Sequence, residues 1–239
     1  MSIRQFFPYY GAKWRIATRY PEPDHAHIVE PFAGSAGYAL RYPSRAVTLI
    51  DSDEIVAGTW AYLLAASEAE IRALPLWDGS WDTTDDLRIP QEARWLIGWW
   101  LNKGVSSPRK SPSAWMRQGI RPNSMWGEAV RDRIARQVGM IRHWRILHGP
   151  HTLADAIEPA TWFVDPPYEL AGKHYRHGSS GIDYADLAAW CRSRVGQVIV
   201  CEQDGATWLP FDPHVDAKGT EGAGRSGRSA EVVWIGGAS

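Results

Sequence analysis

Asp165-Pro166-Pro167-Tyr168 puts a carboxylate, a stiff backbone carbonyl and a flat ring in close succession. The apolar run Trp162-Phe163-Val164 just before it reads as a short buried strand. Neither proline can extend a ladder or a helix, so the chain must leave the sheet there. The group then lies at the C-terminal edge of a strand, where open α/β sheets bind ligands. Such a trio suits a planar ring bearing an exocyclic amino group. The ring lies against Tyr168, and the NH2 donates to Asp165 and to the Pro166 carbonyl. A plain strand with a rigid turn after it would read the same in isolation, so the rest of the chain must decide.

The elements that would position this group come early in the chain. Phe7-Pro8-Tyr9-Tyr10-Gly11-Ala12-Lys13 carries aromatics, a turn glycine and a lysine, followed by a short helical pattern to Tyr20. His27-Ile28-Val29-Glu30 reads as a strand. Pro31-Phe32-Ala33-Gly34-Ser35-Ala36-Gly37 reads as a glycine-bearing turn into a helix over 38–42. Ala46-Val47-Thr48-Leu49-Ile50 reads as a second buried strand ending in Asp51, with a helix over 54–67 after it. This is the strand–loop–helix–strand–acid layout of a nucleoside-cofactor site. The glycine turn lets backbone approach a ligand, and Asp51 can accept from both ribose hydroxyls. The turn is not Gly-x-Gly-x-x-Gly, and Glu30-Pro31 precedes it. An acid there repels a pyrophosphate but suits an ammonium and a sulfonium, the charges of S-adenosylmethionine.

Taken together, Pro8-Tyr9-Tyr10-Gly11-Ala12-Lys13, Glu30-Pro31-Phe32-Ala33-Gly34-Ser35, Asp51 and Asp165-Pro166-Pro167-Tyr168 resemble the Dam-type (D12 class) DNA adenine-N6 methyltransferases. The order, with cofactor motifs first and the Asp-Pro-Pro-Tyr strand late, is that of the alpha group. Leu101-Asn102-Lys103-Gly104 is similar to the family's segment leading into its recognition region. The resemblance implies a Rossmann-like, S-adenosylmethionine-dependent α/β fold with a mostly parallel seven-stranded sheet. It implies methyl transfer to adenine N6 in DNA, with Asp165, Pro166, Pro167 and Tyr168 as the catalytic motif. Tyr9, Tyr10, Gly11, Lys13, Glu30, Pro31, Phe32, Gly34, Ser35, Asp51 and Asp165 would hold the cofactor. Ala12 and Ala36 stand where the family commonly has glycine, and the stretch Arg145-Ile146-Leu147-His148 lacks the acid often found there. The contacts to the cofactor's adenine therefore stay open. Cytosine-N4 methylation uses the same chemistry, although such enzymes more often carry Ser in place of Asp165. A catalytically silent DNA-binding module of the same fold is the alternative from another class.

The chain divides into a catalytic part, 1–67 with 146–239, and a helical target-recognition insertion, 68–145. Net charge is −1, but it is unevenly spread. Residues 101–145 hold ten cations against Glu128 and Asp132, a balance of +8 that leaves −9 elsewhere. A basic segment on an acidic body is a footprint for a polyanion. Lys103, Arg109, Lys110, Trp115, Arg117 and Arg121 interleave cations with indoles, which suits phosphates and unstacked bases. Within the insertion, 70–86 reads as an acidic surface connection. A helix over 93–104 presents Trp95, Trp99 and Trp100, read as core, and a helix over 128–144 carries arginines on its outer face.

After the motif, 169–181 reads as a polar loop that closes over the target base, with Lys173 and Arg176 as DNA contacts. His174 and His177 have a metal-like spacing without a further ligand, and the chemistry requires no metal. A helix over 184–194 and a strand over 197–201 follow, then a mobile hairpin over 214–229 and a final strand over 230–235. Cys191 and Cys201 read as buried thiols. No apolar run is long enough to span a bilayer, and no leader is evident at the N-terminus. The expectation is a cytoplasmic protein of a bacterial or phage-infected cell, a monomer or weak dimer, with or without a restriction partner.

Overall fold

The computed structural model describes residues 3–102, 106–157, 159–170, 179–218 and 228–238. Seven strands form one sheet: β1 (His27–Glu30), β2 (Ala46–Asp51), β3 (Arg145–His148), β4 (Ala160–Val164), β5 (Gly196–Gln203), β6 (Asp212–Lys218) and β7 (Arg228–Gly236). Their order is β3-β2-β1-β4-β5-β7-β6. The first five run parallel, and β7 is antiparallel to both β5 and β6. This α/β architecture is compatible with a Rossmann-like fold. The strand order reverses between β1 and β4, which pair directly through Ile28↔Thr161 and Val29↔Trp162. Ligand crevices form at such a reversal, beyond the C-terminal strand ends. Glu30 and Asp165 stand there side by side in the topology.

The central strands are apolar on both faces because both faces are covered. All of β4 is buried. Phe163, Ile199 and Val233 join a cluster on one face, with Phe6, Phe7, Trp60, Trp99, Trp126 and Trp144. Trp162, Val164, Val198 and Val200 face the other side, against Leu187, Trp190 and Leu209. Edge strand β3 is mostly exposed, and its polar Arg145 and His148 suit an unpaired edge.

Among the described residues there are six α-helices, α1 (Glu54–Ala65), α2 (Glu68–Arg72), α3 (Gln91–Trp99), α4 (Ala114–Arg117), α5 (Glu128–Val138) and α6 (Tyr184–Ser193), of which α1 and α6 pack on the sheet. The side chain of Asp53 caps α1, and Asp183 caps α6. The continuous helix expected over 54–67 stops at Ala65. Ser67 and Glu70 form a capping box that starts α2 instead. The helix expected over 93–104 ends at Trp99, and the one expected over 128–144 ends at Val138 with a 3-10 turn, Gly139–Ile141. The helix expected over 38–42 is a single 3-10 turn, Ala39–Arg41.

The stretch 70–86 is not simply a surface connection. Its Ile71, Leu74 and Trp81 belong to the same apolar cluster as Phe163, and Trp81 Nε1 donates to the Leu76 carbonyl. The whole segment 68–145 packs into that cluster through α2, α3 and α5. Part of the hairpin expected over 214–229 is regular strand, since β6 extends to Lys218 and β7 begins at Arg228. Its middle, 219–227, lies outside the described residues. Cys191 lies on α6 and Cys201 on β5, both buried. Among the described residues no helix is long and apolar enough to cross a membrane.

Candidate active site

One cleft at the strand reversal is lined by Tyr9, Tyr10, Gly11, Lys13, Glu30, Phe32, Gly34, Ser35, Asp51 and Asp165. The residues come from the N-terminal segment and from the ends of β1, β2 and β4. Ala12, Ala33, Gly37, Phe163 and Pro167 complete the lining. Of the expected cofactor residues, Pro31 alone is not in the lining and is buried behind it.

The loop after β1 is shaped by two glycines. Gly34 has φ +44°, and a Cβ there would come within 3.0 Å of the Tyr9 ring. A Cβ on Gly37 would lie 2.6 Å from the Trp14 backbone nitrogen and 3.0 Å from Lys13 backbone. Gly37 thus admits the strap that carries Lys13 into the cleft. Ala36 takes φ +52°, the left-handed region that favours glycine. Asp51 holds this loop from β2: one carboxylate oxygen accepts the Gly34 N–H at 2.9 Å, and the other accepts the Asp53 N–H at 2.9 Å. The Ser35 hydroxyl accepts from Gln5 Nε2 at 3.1 Å. Phe32 stacks on His151.

Lys13 is 4 % exposed, and its Nζ stands 2.8 Å from each oxygen of Asp165. The angle allows a hydrogen bond to Oδ2 only, so Oδ1 is buried without a hydrogen-bond partner. The same ammonium donates to the Gly11 carbonyl at 3.0 Å and lies 4.9 Å from the centre of the Tyr168 ring. Burial raises the Asp165 carboxyl above its ordinary range, and Lys13 opposes that rise. Burial likewise pushes the Tyr168 hydroxyl well up. Glu30 is almost fully buried, and its Oε1 accepts the Ala39 N–H at 2.6 Å. Burial pushes its carboxyl up to about 8 against that hydrogen bond, with Asp165 adding repulsion. The cleft therefore gathers two buried acids around one ammonium.

Sequence reasoning missed several residues that set this geometry. Trp99 stacks on Phe7 and meets Tyr9 edge-on at 5.6 Å, fixing one wall. Trp60 Nε1 donates to the Gly34 carbonyl at 2.8 Å. Glu202 lies one residue before the end of β5, a buried acid after an apolar run, much as Asp51 closes β2. A strand read as stopping at Cys201 hides that signal.

The basic segment is less open than its charge suggests. Lys110 pairs with Asp85 at 2.7 Å and Arg117 with Asp82 at 3.2 Å. Arg121 lies over Trp115 at 4.4 Å. Arg109 is exposed and has no acid partner among the described residues. The arginines of α5 and the turn after it are not all on an outer face. Arg133 donates to the Gln5 carbonyl at 2.7 Å and lies over Trp100, Arg131 reaches the Leu74 carbonyl, and Arg142 the Leu64 carbonyl. They clamp main chain because long cationic stems pack well while their heads satisfy carbonyls. Lys103, Lys173, His174, Arg176 and His177 lie outside the described residues. No protein-family model matches the chain, and no curated protein sequence matches it.

Proposed function

We propose that this chain is an S-adenosylmethionine-dependent DNA methyltransferase acting on the N6 amino group of adenine. The observation that carries the reading is convergence. Lys13, Glu30, Gly34, Asp51 and Asp165 are distant in sequence, yet they line one cleft at the strand reversal. A mostly parallel seven-stranded sheet is what this reading expects.

The cleft's chemistry fits the cofactor. Glu30 is a buried acid whose ionised form a bound ammonium would favour, and Asp51 is a carboxylate at the end of β2 able to accept from ribose hydroxyls. The Gly34 backbone leaves room that a side chain would fill. When bound, S-adenosylmethionine supplies an electrophilic methyl group. The chain's own part is to receive a base taken out of the stack, because N6 is paired within a duplex. Asp165 Oδ1, buried without a hydrogen bond, is the acceptor for one amino hydrogen, and the Pro166 carbonyl is the acceptor for the other. Together they turn the nitrogen lone pair toward the methyl. Tyr168 holds the ring, and Lys13 opposes the rise that burial imposes on the Asp165 carboxyl. Orientation and preorganised charge are what the chain's own residues would contribute to that transfer.

The Lys13–Asp165 contact also favours a second reading, a DNA-binding module in which the pair is simply a structural lock. Nucleoside analysis of DNA from expressing cells separates the two. The enzyme reading expects N6-methyladenine with the wild type and a loss of about 10²-fold or more with Asp165→Ala, the scale of losing a transition-state hydrogen-bond partner. Unmodified DNA with a folded wild type overturns it.

A further inference from the structure

We propose that Glu202, Trp208 and Tyr184 form a clamp that positions Tyr168 by gripping the chain on either side of it. This rests on the reading of Tyr168 as the residue that holds the target base. Pro166 and Pro167 offer no N–H, so the motif backbone must be held through its carbonyls and through the donors that follow it. The Tyr184 hydroxyl, in the first turn of α6, donates to the Pro167 carbonyl. On the other side of Tyr168, the Glu169 N–H donates to Glu202 Oε1 at 2.8 Å.

The two grips are joined. Trp208 Nε1 donates to the same Glu202 oxygen at 3.2 Å, and its ring meets the Tyr184 ring at 5.4 Å. Glu202 Oε2 accepts the Gln203 N–H at 2.6 Å, which fixes the carboxylate on the end of β5. Glu202 is fully buried. An acid in such a place is held by donors on three sides and spans from sheet to motif loop, which an apolar side chain of similar size cannot do. The three residues are positioning residues, since they act through the Tyr168 backbone. A site that loosens by about 1 Å can lose on the order of 10²-fold in rate.

The test uses the full chain with Tyr184→Phe, Glu202→Gln and Glu202→Ala. Tyr184→Phe keeps the ring and removes the grip on Pro167 together with the hydroxyl's contact to Ser179, so kcat should fall about 10-fold, with KM for the cofactor and its calorimetric affinity unchanged. Glu202→Ala should fall by about 10²-fold. Glu202→Gln keeps one accepting oxygen for the Glu169 N–H and Trp208 Nε1 but sets its NH2 against the Gln203 N–H, so it should recover part of that loss. If Glu202→Ala does not fold, Tyr184→Phe and Glu202→Gln decide the matter. Wild-type kcat in Tyr184→Phe, or a loss that falls on cofactor affinity instead, overturns the clamp. Amide hydrogen exchange tests it without any activity. Exchange at Tyr168 and Glu169 should quicken in Tyr184→Phe while the amides of β1 and β2 keep their protection, and unchanged exchange overturns the proposal. If the wild type transfers no methyl group, the functional reading falls and exchange alone decides the clamp.

Discussion

At the scale of single residues, Glu30 makes the most direct prediction. Folded, its carboxyl holds a proton up to about pH 8, against an ordinary value of 4.5. Between those limits the unfolded chain has released the proton and the folded chain has kept it. Stability therefore falls as pH rises through that window, by at most about 1.4 kcal/mol per pH unit from this group. Glu30→Gln should flatten that part of the slope, and urea titrations at pH 5 and pH 8 for both proteins measure it. Lys13→Met leaves the Asp165 carboxylate buried without its cation and should cost about 3–5 kcal/mol, read in the same titrations. These roles are only half visible in the sequence. Asp165, Lys13 and Asp51 stand out by type and spacing. That Lys13 reaches Asp165 at all depends on a contact across 152 positions, which no local pattern carries.

At the scale of elements, the loop between β1 and the 3-10 turn Ala39–Arg41 is the tightest piece around the cleft. Gly37→Ala would drive a methyl into the Lys13–Trp14 backbone, and overpacking of this kind costs about 1–3 kcal/mol. Thermal melting should show the loss, together with weaker cofactor binding by calorimetry, since the strap carries Lys13. Wild-type behaviour in both would mean that the strap yields freely. The strands of the parallel core are readable because they are short apolar runs ending in acids or prolines. The stretch 70–86 is not, because its acids mask Ile71, Leu74 and Trp81, which share an apolar cluster with Val130, Ile134 and Val138 of α5. Helix ends are misread where a capping signal sits inside an apparently continuous pattern, as at Ser67.

At the scale of the whole molecule, the distribution of charge decides what the basic segment can do. Arg109 and Arg121 have no acid partner among the described residues, whereas Lys110 and Arg117 are paired. Arg109→Ala with Arg121→Ala should weaken DNA binding and make the log–log salt dependence shallower by about 0.9 for each phosphate no longer neutralised. Lys110→Ala with Arg117→Ala should change both less, because Asp85 and Asp82 already neutralise those heads. Anisotropy at several salt concentrations compares the pairs, and equal effects would refute the distinction. Total charge is legible in the sequence, but the availability of each cation is not. The cluster that joins Trp99 and Trp126 of the 68–145 segment to Phe163 of the sheet carries a different consequence. Two regions that share one apolar interior melt together, so calorimetry should give a single cooperative transition. Such a segment is no detachable cassette. A change in what its outer surface recognises would have to come from point substitutions there, because exchanging the segment entire would also take away much of the core.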